Sequence, residues 1–315
     1  MNSALFSSEL VADLILCVGE CLVDVMPSGI EQPGGAPANV AYHAAAVGSA
    51  VGLVSRIGDD ERGRGLRARL MRTGLTEELL QIDELHPTGT VRVRMTGAEP
   101  IYDIAEPVAW DFIVETDGAV RAARDAAVVV FGTLAQRHLV SRATIRSLVG
   151  QARAAGACVA ADLNLRAPFF DEETVLWTLR HADLLKLNRE ELSVVSQMLG
   201  AAGDTMTLFE GLVREFGLCR AVLTCGEDGA WFFEEGRTWR QPAIASEIVD
   251  TVGAGDAFTA VLAVGRARGY SLEAVAPLAA EVAAYVVSQP GGMPAWPVAL
   301  AERARRVLAT NPVSP

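Results

Sequence analysis

Ala127-Val128-Val129-Val130-Phe131, Cys158-Val159-Ala160-Ala161-Asp162-Leu163 and Asp183-Leu184-Leu185-Lys186-Leu187 are short apolar runs without polar alternation. A strand covered on both faces reads this way. The stretches Arg142 to Ala155, Glu172 to Arg180 and Glu190 to Leu199 lie between and after them with helical patterning. This strand-helix-strand rhythm predicts a mainly parallel α/β sheet with right-handed crossovers. Leu14-Ile15-Leu16-Cys17-Val18-Gly19 has the same character and opens the sheet. Ligands of such sheets sit beyond the carboxyl ends of the strands. Polar residues collect there: Asp162, Asn164 and Arg166 after one strand, Asn188 and Glu191 after the next, Thr224, Gly226 and Asp228 after a third. Their convergence predicts one site.

Asp250-Thr251-Val252-Gly253-Ala254-Gly255-Asp256-Ala257-Phe258 adds chemistry to that site. An apolar helix is expected from Ala257, which leaves the amides of Gly253, Ala254 and Gly255 at its N-terminus. Such amides, with the helix dipole behind them, hold phosphate oxygens. Asp256 beside them can take a proton from an attacking hydroxyl, a pairing suited to phosphoryl transfer. The plainer reading is a glycine-loosened turn whose Asp favours the positive end of a helix. Gly34-Gly35 before the expected helix Val40 to Val47 is a second place where backbone can touch a ligand, or simple turn chemistry. Asn188-x-x-Glu191 fits a helix cap with its partner three residues on.

The chain has 315 residues, 50% of them hydrophobic, enough to bury a substantial core. A formal net charge of -12 argues against nucleic-acid binding, which needs a basic surface. Cys17, Cys21, Cys158, Cys219 and Cys225 are odd in number, without metal-ligand spacing, and read as reduced buried thiols. Lys186, the only lysine, reads as a composition bias. Met1 to Glu9 lacks the basic region of a signal peptide, and Leu14 to Val18 is too short to span a membrane, so a cytoplasmic protein is expected. No Pro-, Gly- or Ser-rich linker divides the chain, and residues 1–315 are expected to form one unit. Thr88 to Met95, Pro100 to Ala105 and Val108 to Phe112 read as short strands that join Cys21 to Met26 in a small lid sheet. Its apolar Val91, Val93, Ile101, Ile104, Val108 and Trp110 must close over a ligand, meet a partner or pack down on the same chain.

The string from Asp250 to Phe258 resembles the C-terminal signature of the ribokinase-like (PfkB) sugar kinases. Gly-Glu-x-Leu-Val-Asp ending at Asp24, Gly-Gly-Ala-Pro-Ala-Asn-Val-Ala from Gly34 and Ile57-Gly58-Asp59-Asp60-x-x-Gly63 resemble that family's N-terminal half, in the same order. Pro-Thr-Gly-Thr-Val ending at Val91, Ile101 to Ile104, Val108 to Asp111 and Phe131 to Arg137 resemble its fructokinase branch. The resemblance implies a ribokinase-like three-layer α/β/α fold whose lid strands come from about 20–34 and 88–112. It implies an ATP-dependent sugar kinase, most closely a fructokinase, with Asp256 as base, Gly253, Ala254 and Gly255 as anion hole, and Arg166 on substrate or transferring phosphate. Asp24, Gly35, Asn39, Tyr102 and Asn164 would then hold the sugar. Asn188, Thr224, Gly226, Gly253 and Gly255 would line the nucleotide, and Glu191 with Asn188 would organise magnesium and its waters. Asp59 and Asp60, by contrast, read from their own position as caps of the helix running toward Arg72. A homodimer through the lid strands is also implied. The sequence leaves open the sugar, the phosphorylated carbon and a monovalent cation. A kinase for 2-keto-3-deoxygluconate or ribose, and a non-catalytic sugar or nucleotide sensor, are the competing readings. A Rossmann dehydrogenase is disfavoured because Gly-x-Gly-x-x-Gly does not follow the first strand.

Overall fold

The apolar runs pair with one another, since a strand lacking a polar face has to be covered on both sides. The computed structural model describes residues 13–75, 77–96 and 99–309, with the side chains of 93–102 outside that set. Its main sheet runs in the order β13 (Arg237–Gln241), β12 (Ala230–Glu234), β11 (Arg220–Thr224), β10 (Leu184–Asn188), β9 (Cys158–Asp162), β8 (Val128–Phe131), β1 (Ile15–Val18), β4 (Val51–Gly58) and β5 (Leu80–Asp83). Neighbours from β11 to β5 are parallel, and β12 and β13 return antiparallel at one edge. The chain winds from β1 outward to β4 and β5, then resumes at β8 and winds the other way. Strand order therefore reverses between β1 and β8, and the crevice outside their carboxyl ends is the natural ligand position.

One face of the sheet carries α1 (Ala36–Val47), α2 (Glu61–Met71), α8 (Ala254–Ala267), α9 (Leu272–Val287) and α10 (Val298–Leu308), whose apolar side chains share a core with Ile15, Val51 and Val130. The opposite face carries α3 (Asp117–Asp125), α4 (Leu139–Ala154), α5 (Glu172–His181), α6 (Arg189–Met198) and α7 (Thr205–Phe216), packed with Leu16, Val129 and Val159. Successive residues of one strand thus serve opposite cores, as the two-residue period of a strand requires. The expected three layers are present. The helices after Gly35 and Gly253 both start earlier than expected. α1 begins at Ala36 with Pro37 in its first turn, where the missing N–H costs nothing, and α8 begins at Ala254. Of the two acids expected to cap α2, Asp60 does so, accepting the Gly63 amide at 2.8 Å. Four of the thiols are buried as expected, whereas Cys219 is exposed.

A second sheet, in the order β3 (Glu31–Gly34), β2 (Leu22–Val25), β6 (Gly89–Thr96) and β7 (Glu99–Ile104), forms the lid. Val108 to Phe112 is not the strand expected there. Ala109 to Phe112 is a 3-10 turn with Trp110 wholly buried. Asp111 causes the reversal: its carboxylate accepts the Val108 amide at 3.0 Å and pairs with Arg137 at 2.7 Å, so the segment folds back under the lid. Val91, Ile104, Val108 and Trp110 join the core of their own chain. The side chains of Val93, Ile101 and Tyr102 lie outside the described set.

Arg137 ties the base of the lid to the main sheet. Its guanidinium donates to the Ala105 carbonyl at 2.7 Å and stacks 3.9 Å from the Trp110 ring centroid. Side-chain exposure is 5% for Arg137 and 2% for Asp111. Removing one partner of such a pair leaves an uncompensated buried charge. Arg137→Met should therefore lower the unfolding free energy by about 3–5 kcal/mol in urea denaturation at neutral pH. A loss below about 1 kcal/mol, the scale of an exposed pair, would show that the pair does not hold the lid base.

Candidate active site

The turn before α8 is set by Asp250 and two glycines. Asp250 accepts the Val252 amide on one carboxylate oxygen and the Gly291 amide on the other, both at 3.0 Å, which fastens the 291–292 turn to the start of α8. Gly253 caps the helix in the left-handed region, at φ 76°. A Cβ on Gly253 would fall 2.5 Å from the Gly292 Cα, so conformation and space both require glycine. Ala254, Gly255 and Asp256 form the first helical turn, whose amides lack intrahelical acceptors. Ala254 N–H reaches back to the Thr251 carbonyl at 3.4 Å. An anion is favoured at this end by the dipole.

Asn39 Nδ2 donates to Asp256 Oδ2 at 2.7 Å, joining α1 to α8 at the crevice. Asn39 is buried, and its Oδ1 has no partner among the described residues, as expected of an amide half used by the protein and half reserved for a ligand. Gly35 caps α1 from a positive φ of 100°, and the Ala36 amide donates to Glu20 Oε1 at 3.2 Å. Asp24 stands on β2, opposite Gln32, where a side chain at Gly34 would overlap its carboxylate.

These carboxylates feel one another. Burial pushes Asp24 up to about 7, with the Asp256 and Asp250 charges adding to the rise and Arg166 opposing it. Burial likewise raises Asp256 to about 6; Asp162 adds to the rise, and Lys186, the Asn39 hydrogen bond and Arg166 act against it. Glu20, a residue the sequence reading passed over, rises to about 7, chiefly from burial. Asp24, Asn39, Asp256 and Arg166 are therefore brought to one place. Arg166 itself is exposed on the loop after β9. Asn164 in that loop takes a left-handed φ of 44°, and the Leu165 amide donates to Glu191 Oε1 at 3.0 Å.

Across the crevice, Asn188 and Thr224 are register partners at the ends of β10 and β11. Gly226 opens a 3-10 turn that leads into β12, completing the expected hairpin. Asn188 and Glu191 close a capping box: Asn188 Oδ1 accepts the Glu191 amide at 2.9 Å, and Glu191 Oε2 accepts the Asn188 amide at 2.8 Å. Both Glu191 oxygens thus already take backbone donors. No group of three or more His, Cys, Asp or Glu is arranged to hold a metal ion among the described residues. Tyr102 pairs with Val93 in the lid, its side chain outside the described set.

Lys186 corrects the reading of it as a composition bias. Its ammonium donates to both oxygens of Asp162, at 3.0 and 2.9 Å, and Thr259 of α8 donates to the same carboxylate at 2.9 Å. The available signal was a lone charge in the run Leu184-Leu185-Lys186-Leu187, facing its register partner Asp162.

Residues 1–299 match the family described as pfkB family carbohydrate kinase. The chain is 31% identical over 300 residues to the fructokinase of Klebsiella pneumoniae, covering 90% of this chain and 96% of that one. It is 29% identical over 297 residues to the fructokinase of Escherichia coli, covering 89% and 95%. Its fold superposes with a TM-score of 0.82 on a Xylella fastidiosa fructokinase with bound ATP, across 94% of this chain and 99% of that one at 23% identity. With the family match spanning nearly the whole chain, this protein belongs to the pfkB family of carbohydrate kinases and is a sugar phosphotransferase on a ribokinase-like α/β fold.

Proposed function

We propose that the chain is an ATP-dependent fructokinase, with residues 1–315 acting as one kinase unit in the cytoplasm. The observation that carries the site is the Asn39–Asp256 bond at the N-terminus of α8, which puts a carboxylate in the first turn of that helix at the strand-order reversal. The sugar lies against Asp24, Gly35 and Asn39, with Asn164 and Tyr102 bordering it. Its hydroxyl oxygen attacks the γ-phosphorus of ATP, the bond to the ADP oxygen breaks, and the hydroxyl proton passes to Asp256. Amides of Gly253, Ala254 and Gly255 stabilise the charge that develops, and Arg166 reaches substrate or the transferring group. The nucleotide lies along Asn188, Thr224 and Gly226. Magnesium carried on the phosphates would supply charge neutralisation there, held by Asn188 and Glu191 through water, a mode that suits an ion reluctant to dehydrate.

Asp256→Asn should keep the fold and lower kcat by about 10²–10⁴-fold, the scale of a removed general base. Asp256 has to be ionised to accept the proton, and its raised value of about 6 places the acidic limb of kcat/KM there: activity holds above it and falls below it. A rate within about threefold of wild type in the variant would remove Asp256 from the role.

Fructose is supported as substrate by the fructokinase-like lid segment and by the named activity of the similar proteins. In a coupled ADP assay over fructose, ribose and 2-keto-3-deoxygluconate, fructose should show the highest kcat/KM, with the phosphate position read by NMR. A higher value for either competitor moves the assignment to that sugar, and zero turnover with measurable binding favours the sensor.

The lid is proposed to pair with a second copy through β7, which ends the lid sheet in the strand order. Light scattering should give a dimer mass at micromolar concentration. A monomer at every accessible concentration, fully active, would rule the dimer out and leave the kinase reading intact.

A further inference from the structure

Lys186 is the single lysine among 27 lysine and arginine residues. Its ammonium sits close against the helix that carries Asp256. A Cβ on Gly255 would lie 2.8 Å from Lys186 Nζ, so the ammonium is lodged against the first turn of α8. Arginine's planar fork is far wider than a compact ammonium with rotatable donors. The side chains of Lys186 and Asp162 are 12% and 5% exposed. Asp162 in turn holds α8: Thr259 Oγ1 lies 2.9 Å from Asp162 Oδ2 and 3.0 Å from the Gly255 carbonyl. Strands β9 and β10 are thereby fastened to the turn that carries Asp256.

The surrounding charge is one-sided. Asp256 is faced by Asp162 from β9, by Glu20 from the β1 end and by Asp24 from β2. Asn39 from α1 donates to it, and Glu191 from α6 lies within the field of Lys186. Against these carboxylates stand Lys186 and Arg166, and Arg166 is exposed on a loop where solvent weakens its field. Lys186 is the cation held in place.

We propose that Lys186 is a positioning residue for phosphoryl transfer: clamped on Asp162 against Gly255, its compact ammonium fixes the first turn of α8 and keeps Asp256 ionised beside the acceptor hydroxyl. The proposal rests on the reading of Asp256 as the base. Neither a bulkier cation nor a neutral side chain can do both parts of this work.

The test uses Lys186→Gln, Lys186→Met and Lys186→Arg in the full chain, with steady-state rates for sugar and ATP across the acidic and neutral range. The Gln and Met variants should lose about 10²-fold in kcat, on the scale of removing one preorganised electrostatic group. KM for the sugar should stay within about threefold, because no sugar contact is removed. The acidic limb of kcat/KM should move to higher pH, since a cation that favours the charged form of Asp256 is gone. Simple loss of packing would lower stability without moving that limb. Lys186→Arg should recover none of the rate. Should Lys186→Met fail to fold, the double variant Asp162→Asn with Lys186→Met removes both buried charges together and should still show the rate loss. Wild-type rate and acidic limb in the neutral variants, or wild-type rate in the Arg variant, would overturn the proposal. Asp256→Asn measured alongside separates the two failures. If it is active, the base assignment falls; if it is inactive and the Lys186 variants are unaffected, only the lysine proposal falls.

Discussion

The hydrogen bond from Asn39 to Asp256 joins two helix starts that are far apart in sequence and adjacent at the crevice. It requires α1 and α8 to lie on the same face of the sheet with their N-termini at the carboxyl edge of β1 and β8. The right-handed crossovers and the reversal of strand order deliver that arrangement. The 291–292 turn secures it from below: a Cβ on Gly292 would crowd the Asn39 amide, and Asp250 binds the Gly291 amide. His43 on α1 reaches the Gly292 carbonyl at 2.9 Å and so closes the same unit from the core side.

Burying several carboxylates in one crevice is costly, and the site answers that cost with raised proton affinity and fixed donors. Burial raises all three carboxyl groups, Asp24 and Glu20 to about 7 and Asp256 to about 6. The lowest of them, Asp256, is the one with an amide donor at 2.7 Å and a lysine in its field.

The lid depends on different forces. Its base is held by burial of Val91, Ile104, Val108 and Trp110 and by the Arg137–Asp111 pair, whereas β2 and β3 carry Asp24 and the glycine approach to α1. The base is fixed while the far edge ends in β7, and the small sheet stays separate from the main sheet. Among the described residues, no helix is long and apolar enough to cross a membrane.

Strand identity and the layer order were legible because doubly buried strands must be apolar throughout, and runs such as Val128 to Phe131 admit no other covering. The turn before Asp256 was legible because its glycines mark a backbone that a side chain would strain, and Gly253 does take a positive φ. The sequence alone could not decide Val108 to Phe112, whose apolar residues suit a strand equally well; the Asp111–Arg137 pair, formed across 26 residues, turned it into a buried 3-10 turn. Nor could it rank the charged groups. Asp162 and Lys186 look like isolated polar residues in separate apolar runs until parallel pairing sets them side by side and α8 seals them from water. Local pattern determines which segments are strands and helices, because periodicity and propensity act over a few residues. Which carboxylates share a crevice, and which of them Lys186 pairs with, is decided only when the fold brings distant charges within a few ångströms in a medium that screens them poorly.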